Sequence, residues 1–79
     1  MNYYVKVTAI LGRNRGLVGY LINEHACNTG ANGKGTVFTK EEAEATFSKF
    51  NKRQIWKMEL EPTEELTVAE FLAALPQEH

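Results

Sequence analysis

Seventy-nine residues with nine Lys and Arg against ten Asp and Glu, a net charge of −1 and one cysteine point to a single domain, residues 1–79, without an internal disulfide. There is no run of about 18 apolar residues to span a membrane. Nor is there a charged start followed by an apolar stretch and a small-residue cleavage site, so the expected location is cytoplasmic.

At this size a chain buries only about 60% of its unfolded surface, which leaves stability modest and makes a homodimer an admissible state. The near-neutral total hides an asymmetry. Residues 1–40 hold Lys6, Arg13, Arg15, Lys34 and Lys40 against Glu24 alone, while residues 41–79 set Lys49, Lys52, Arg53 and Lys57 against nine glutamates. A basic half suits a polyanion, and an acidic half suits a basic partner.

Tyr3 to Ile10 alternates at the period of a half-buried strand, with Tyr3, Val5, Val7 and Ala9 on one face. Gly12 to Gly16 then reads as a hairpin tip carrying Arg13 and Arg15, with a glycine at each end to take positive φ. Leu17 to Cys27 reads as a returning strand, with Val18, Tyr20 and Ile22 on one face and Leu21, Asn23, His25 and Cys27 on the other. Asn28 to Gly35, with three glycines and two asparagines, is a loop.

A brief strand, Thr36 to Phe38, runs into the only long amphipathic helix. Thr39 and Glu42 have the spacing of a capping box, Glu41 and Glu42 lie at the positive end of the helix dipole, and Lys49 and Lys52 lie near the other end. Ala43, Phe47 and Phe50 form its apolar stripe. Gln54 to Glu61 is the next strand, placing Trp56, Met58 and Leu60 on one face, and Pro62 is expected to end it. Thr67 and Glu70 repeat the capping box, with Leu66 and Phe71 placed for a hydrophobic staple. Val68, Phe71, Leu72 and Leu75 follow at i, i+3, i+4 and i+7, Pro76 stops the helix, and Gln77 to His79 form a frayed tail.

The order is βββαβα. It implies an α+β fold in which a small antiparallel or mixed sheet of three to four strands carries helices on one face: the capped helix and the short C-terminal one.

The chemistry readings fall away in turn. Gly30, Gly33, Lys34, Gly35 and Thr36 resemble a phosphate-binding loop, but that spacing requires glycine at Asn28 and Ser or Thr at Gly35, with a helix directly after. His25 and Cys27 offer two metal ligands where zinc takes three or four, and only His79 remains, so neither metal nor cofactor is expected. Ser48 and Cys27 have no identifiable base and orienting acid for nucleophilic catalysis. Glu41, Glu42, Glu44, Glu64 and Glu65 sit where helix starts and solvated faces want charge. The expectation is a protein that is not an enzyme.

Phe38 to Glu44, FTKEEAE, together with the βββα order, resembles the strand-to-helix junction of AP2-like arm-binding domains at the start of phage tyrosine integrases. In that family a three-stranded sheet lies on DNA with a helix behind it, and the resemblance implies a similar sheet-on-DNA use. This chain departs from the pattern by adding a fourth strand and a second helix, and its sheet is poor in basic and aromatic residues. In size and architecture the chain also resembles short single-domain proteins of phages and mobile elements, including anti-CRISPR and other host-targeting inhibitors. That resemblance implies action by occupying a surface of a host protein.

The leading expectation is therefore a non-enzymatic protein-binding module, a phage-type inhibitor or adaptor, using the outer sheet face, the acidic helical surface, or both. Glu41, Glu44, Glu64 and Glu65 are its acidic candidates. The alternative is nucleic-acid binding through Lys6, Arg13, Arg15 and Lys34 on the hairpin and the glycine-rich loop. No membrane partner is expected.

Overall fold

The structure, a computed structural model, describes residues 1–30 and 33–76. Its elements are β1 (Asn2–Ala9), β2 (Val18–Asn23), β3 (Ala26–Asn28), β4 (Val37–Thr39), α1 (Lys40–Phe50), β5 (Trp56–Thr63) and α2 (Val68–Ala74). This is an α+β fold built on an antiparallel sheet, in broad agreement with the order read from the sequence.

The alternating strand β1 is the centre of the sheet because both of its edges are used. Along one edge β5 pairs with it in full, from Asn2 opposite Thr63 to Ala9 opposite Trp56. Two strands share the other edge: β2 pairs with Lys6 to Thr8, and β4 pairs with Asn2 to Tyr4. The change of partner occurs where β2 leaves β1 after Tyr20.

Gly35 makes that exchange sterically feasible. Its φ is 74°, and a Cβ there would lie 2.7 Å from the Leu21 carbonyl oxygen, so only a residue without a side chain lets the incoming chain lie this close to β2. Thr36 then joins β2 through its N–H on the Leu21 carbonyl, at 3.3 Å.

The face bearing Val5, Val7 and Ala9 is buried together with Leu21, Phe38 and Ala43. Cys27, Phe47, Phe50, Trp56, Met58 and Leu60 pack half-buried around this cluster. α1 covers that face and begins as its spacing predicts: Thr39 Oγ1 accepts from the Glu42 N–H at 3.2 Å, and the Glu42 carboxylate accepts from the Thr39 N–H at 3.4 Å. The opposite face exposes Tyr4, Lys6, Tyr20, Glu59 and Glu61 to varying degrees.

The chain departs from the sequence reading in three places. The strand expected over Leu17 to Cys27 is broken by a turn at Glu24 and His25, so it forms two strands, β2 and β3, and the sheet has five strands. The Asn23 carboxamide oxygen accepts from the His25 N–H at 2.8 Å, a local bond that competes with a continuing ladder. His25 therefore lies in the turn and does not share a strand face with Cys27.

Pro62 does not end β5, which continues to Thr63. β5 is an edge strand, where a missing N–H pointing away from its neighbour breaks no ladder bond.

The glycine-rich loop is tied at its near end by the Gly30 N–H on the Asn28 side chain and at its far end by Gly35; Ala31 and Asn32 lie outside the described residues. The tail expected to fray, Gln77 to His79, also lies outside them.

The third departure is α2. It leaves the sheet without covering it, and none of its residues is buried. The molecule measures 54 × 24 × 20 Å with a radius of gyration of 14.0 Å, against about 12 Å for a compact chain of this length.

Candidate functional site

The segment from Thr63 to Glu70 is held by polar bonds, and those bonds define the site. Asn2, 9% exposed at the start of β1, donates to the Glu65 carbonyl at 2.9 Å and to the Glu70 carboxylate at 2.6 Å. Thr67, 4% exposed, accepts from the Glu70 N–H at 3.2 Å, and its own N–H donates to the Glu70 carboxylate at 3.0 Å. Glu65 N–H donates to Thr63 Oγ1, and the Tyr4 hydroxyl donates to the Glu65 carboxylate.

These bonds also shift titrations. The Thr67 backbone N–H and the Asn2 carboxamide hold the Glu70 carboxyl below its ordinary range. The Glu65 carboxylate, and then burial, push the Tyr4 phenol up. Both shifts favour the protonation states that make the bonds.

This latch positions α2 but does not cover its stripe. Leu66, Val68, Phe71, Leu72 and Leu75 are 50%, 67%, 56%, 60% and 45% exposed, and Met1, next to the Asn2 anchor, is 85% exposed. The helical spacing puts Val68, Phe71, Leu72 and Leu75 on one side. Leu66 and Phe71, expected to staple the helix, are both open to solvent. A contiguous apolar surface on a small protein, rimmed by charge, is the ordinary mark of an interaction site.

The rim is acidic. Glu64 and Glu65 precede α2 and are exposed. Glu41, also exposed, lies in the first turn of α1, whose cap Thr39 is opposite Asn2 on one edge of β1 while Thr63 is opposite Asn2 on the other. The register thus brings Glu41, Glu64 and Glu65 to the same end of the sheet. Glu44 is exposed one turn further along α1.

The basic candidates do not gather. Lys6 faces Glu59 at 3.8 Å across the β1–β5 ladder, and Lys34 meets Glu61 at 3.0 Å with its ammonium 5.8 Å from the centre of the Tyr4 ring. Tyr20 donates to the other Glu61 oxygen at 2.6 Å. The Tyr20 hydroxyl and Lys34 hold Glu61 below the ordinary carboxylate range, while the bond to Glu61 raises the Lys34 and Tyr20 values.

Arg13 and Arg15 are exposed at the hairpin tip, at the other end of β1. The tip is turned as expected, with φ of 87° at Gly12 and 92° at Gly16. Two of the four basic candidates are therefore neutralised on the outer sheet face, and the other two stand apart from them.

No significant match to the chain is found among protein-family models, curated proteins or solved structures. Among the described residues no group of three or more His, Cys, Asp or Glu side chains forms a metal site, and no helix is long and apolar enough to cross a membrane. Cys27 is half-buried and packed on the core, where desolvation raises its thiol pKa and keeps it protonated.

Proposed function

We propose that this chain is a non-enzymatic protein-binding module that presents α2 to a larger partner, in the manner of an inhibitor or adaptor that works by occupying a surface. One observation carries the reading: the apolar stripe Val68, Phe71, Leu72 and Leu75 stands open on a helix that polar bonds fix in place. An amphipathic helix with anchors at this spacing fits an apolar groove, and prior fixing lowers the ordering cost of docking. The acidic rim, Glu41, Glu64 and Glu65, favours a groove edged by Lys and Arg, which would speed encounter and make it salt-dependent.

The nucleic-acid reading through Lys6, Arg13, Arg15 and Lys34 has less support, since Glu59 and Glu61 already pair with two of those four. The test compares immobilised wild-type protein with Phe71→Glu and with Glu64→Lys/Glu65→Lys against lysate of the source cells. A protein retained by the wild type, lost with Phe71→Glu and weakened by the charge reversal supports the reading. Equal retention by all three overturns it. Sedimentation of the wild type at rising concentration checks the other occupant, a second copy.

A further inference from the structure

At the end of the sheet away from α2, the β2–β3 turn, the last turn of α1 and the start of β5 line an open cleft of about 450 Å³. Its cationic side chains are Lys49, Lys52 and Arg53, with the His25 ring beside them, and its aromatic lining is Phe50 and Trp56. Among the described residues Glu24 is the one carboxylate in the lining; it lies 3.7 Å from the Lys49 ammonium and 3.4 Å from the His25 ring. Among the described residues, neither Lys52 nor Arg53 has a carboxylate partner. The lining thus has surplus positive charge beside an aromatic pair whose ring centres are 5.3 Å apart.

The cleft is held in shape. The Asn51 side chain donates to the Trp56 carbonyl at 3.1 Å and accepts from the Trp56 N–H at 3.0 Å, clamping the end of α1 to the start of β5. Gln54 between them takes φ of 57°, a conformation a non-glycine residue adopts only when its surroundings impose it. Ile10 N–H bonds the Ile55 carbonyl at 2.8 Å and fixes the same turn to β1.

The geometry points to this cleft as a binding site for a phosphorylated nucleoside, either free or as part of a single strand. Lys52 and Arg53 take the phosphate, with Arg offering its planar fork of donors. The Phe50–Trp56 pair takes the base by stacking, which tolerates any base because each has a π-face. The volume falls in the range of ligand pockets. The C-terminal end of α1 is the negative end of its dipole, so the side-chain cations and not the helix must hold the anion. Reversing Lys52 and Arg53 should therefore weaken binding sharply.

Trp56 is the only tryptophan in the chain, so its fluorescence reports on the cleft directly. The full chain is titrated at low salt with ATP, with adenosine, with inorganic phosphate and with a short oligothymidylate, each corrected for absorbance. The expected result is saturable quenching by ATP or the oligonucleotide, with adenosine and phosphate alone far weaker. Lys52→Glu/Arg53→Glu should weaken it by at least about tenfold, and Phe71→Glu should leave it unchanged.

The stronger of the two quenchers identifies the free nucleotide or the strand as the source. Absence of saturable quenching overturns the assignment, as does an equal response from adenosine or from the doubly reversed variant. Circular dichroism of each variant establishes that the fold is intact.

Discussion

Leu21 and Leu72 both occupy apolar positions of amphipathic segments, yet their surroundings are opposite, and replacing each by alanine measures the difference. Leu21 is 0% exposed, enclosed by Val5, Val7, Phe38 and Ala43. Its truncation loses the transfer free energy of the removed carbons and leaves a cavity that a cluster of so few buried residues cannot close without moving α1 or β1. The expected cost is about 3 to 5 kcal/mol, a large share of the roughly 5 kcal/mol available to a domain of this size. Leu72 is 60% exposed on a helix that buries nothing. Only about two fifths of its transfer term is realised, no cavity forms, and alanine is the better helix former, so the expected change is below about 1 kcal/mol.

Urea unfolding followed by circular dichroism reads both, with midpoint and slope fitted separately. Leu21→Ala should lower the midpoint sharply or abolish the cooperative transition, while Leu72→Ala should leave it nearly in place. Comparable losses for the two would refute the placement of α2 outside the core, because they would require Leu72 to be packed in the isolated chain.

Three further outcomes follow from the same geometry. Gly35→Ala combines a left-handed φ with a Cβ 2.7 Å from a backbone oxygen, and should cost about 2 to 4 kcal/mol in urea melts. Gly12→Ala has the same φ problem but open space around it, so it should cost only about 1 kcal/mol; equal costs would show that β4 does not enter against β2 at Gly35. Asn2→Ala removes both bonds to the α2 segment and should release α2, seen as faster amide exchange from Val68 to Ala74 while exchange in β1 and β5 is unchanged; no change there would show that the latch does not hold the helix.

The third concerns pH. The Glu61 carboxyl titrates below its ordinary range when folded, so its contribution is complete above the unfolded value and disappears as pH falls through the lower folded one. Stability should therefore decline on the acid side of the carboxylate range, and Glu61→Gln should flatten that decline. Identical acid profiles for the two proteins would remove Glu61 from the account.

The sequence was most informative where one local rule decided the outcome. Both capping boxes form as spaced, since Thr39 with Glu42 and Thr67 with Glu70 need only a helical turn to meet. The alternation of β1 set Tyr3, Val5, Val7 and Ala9 on one face, and the last three of these are buried while Tyr3 is half-buried. The run Leu17 to Cys27 misled because its alternation continues through Asn23, whose side chain bonds to His25 N–H and so favours a turn that periodicity does not register.

The stripe of α2 shows a different limit. Spacing establishes that Val68, Phe71, Leu72 and Leu75 share a face, but what covers that face depends on where the chain leaves β5. The cleft was invisible for a related reason. Its residues fall at 24–25 and 49–56, and only the pairing of Ala9 with Trp56 and the β2–β3 turn bring them together. Likewise Lys6 and Lys34 were nucleic-acid candidates in the sequence, and the fold sets β5 glutamates against both.

Whether α2 is a docking surface is decided by wild-type and Phe71→Glu protein used as bait in source-cell lysate, with equal urea midpoints confirmed beforehand. The wild type should retain a discrete protein that salt releases and that is absent from the Phe71→Glu bait. Retention of the same protein by both baits would contradict it.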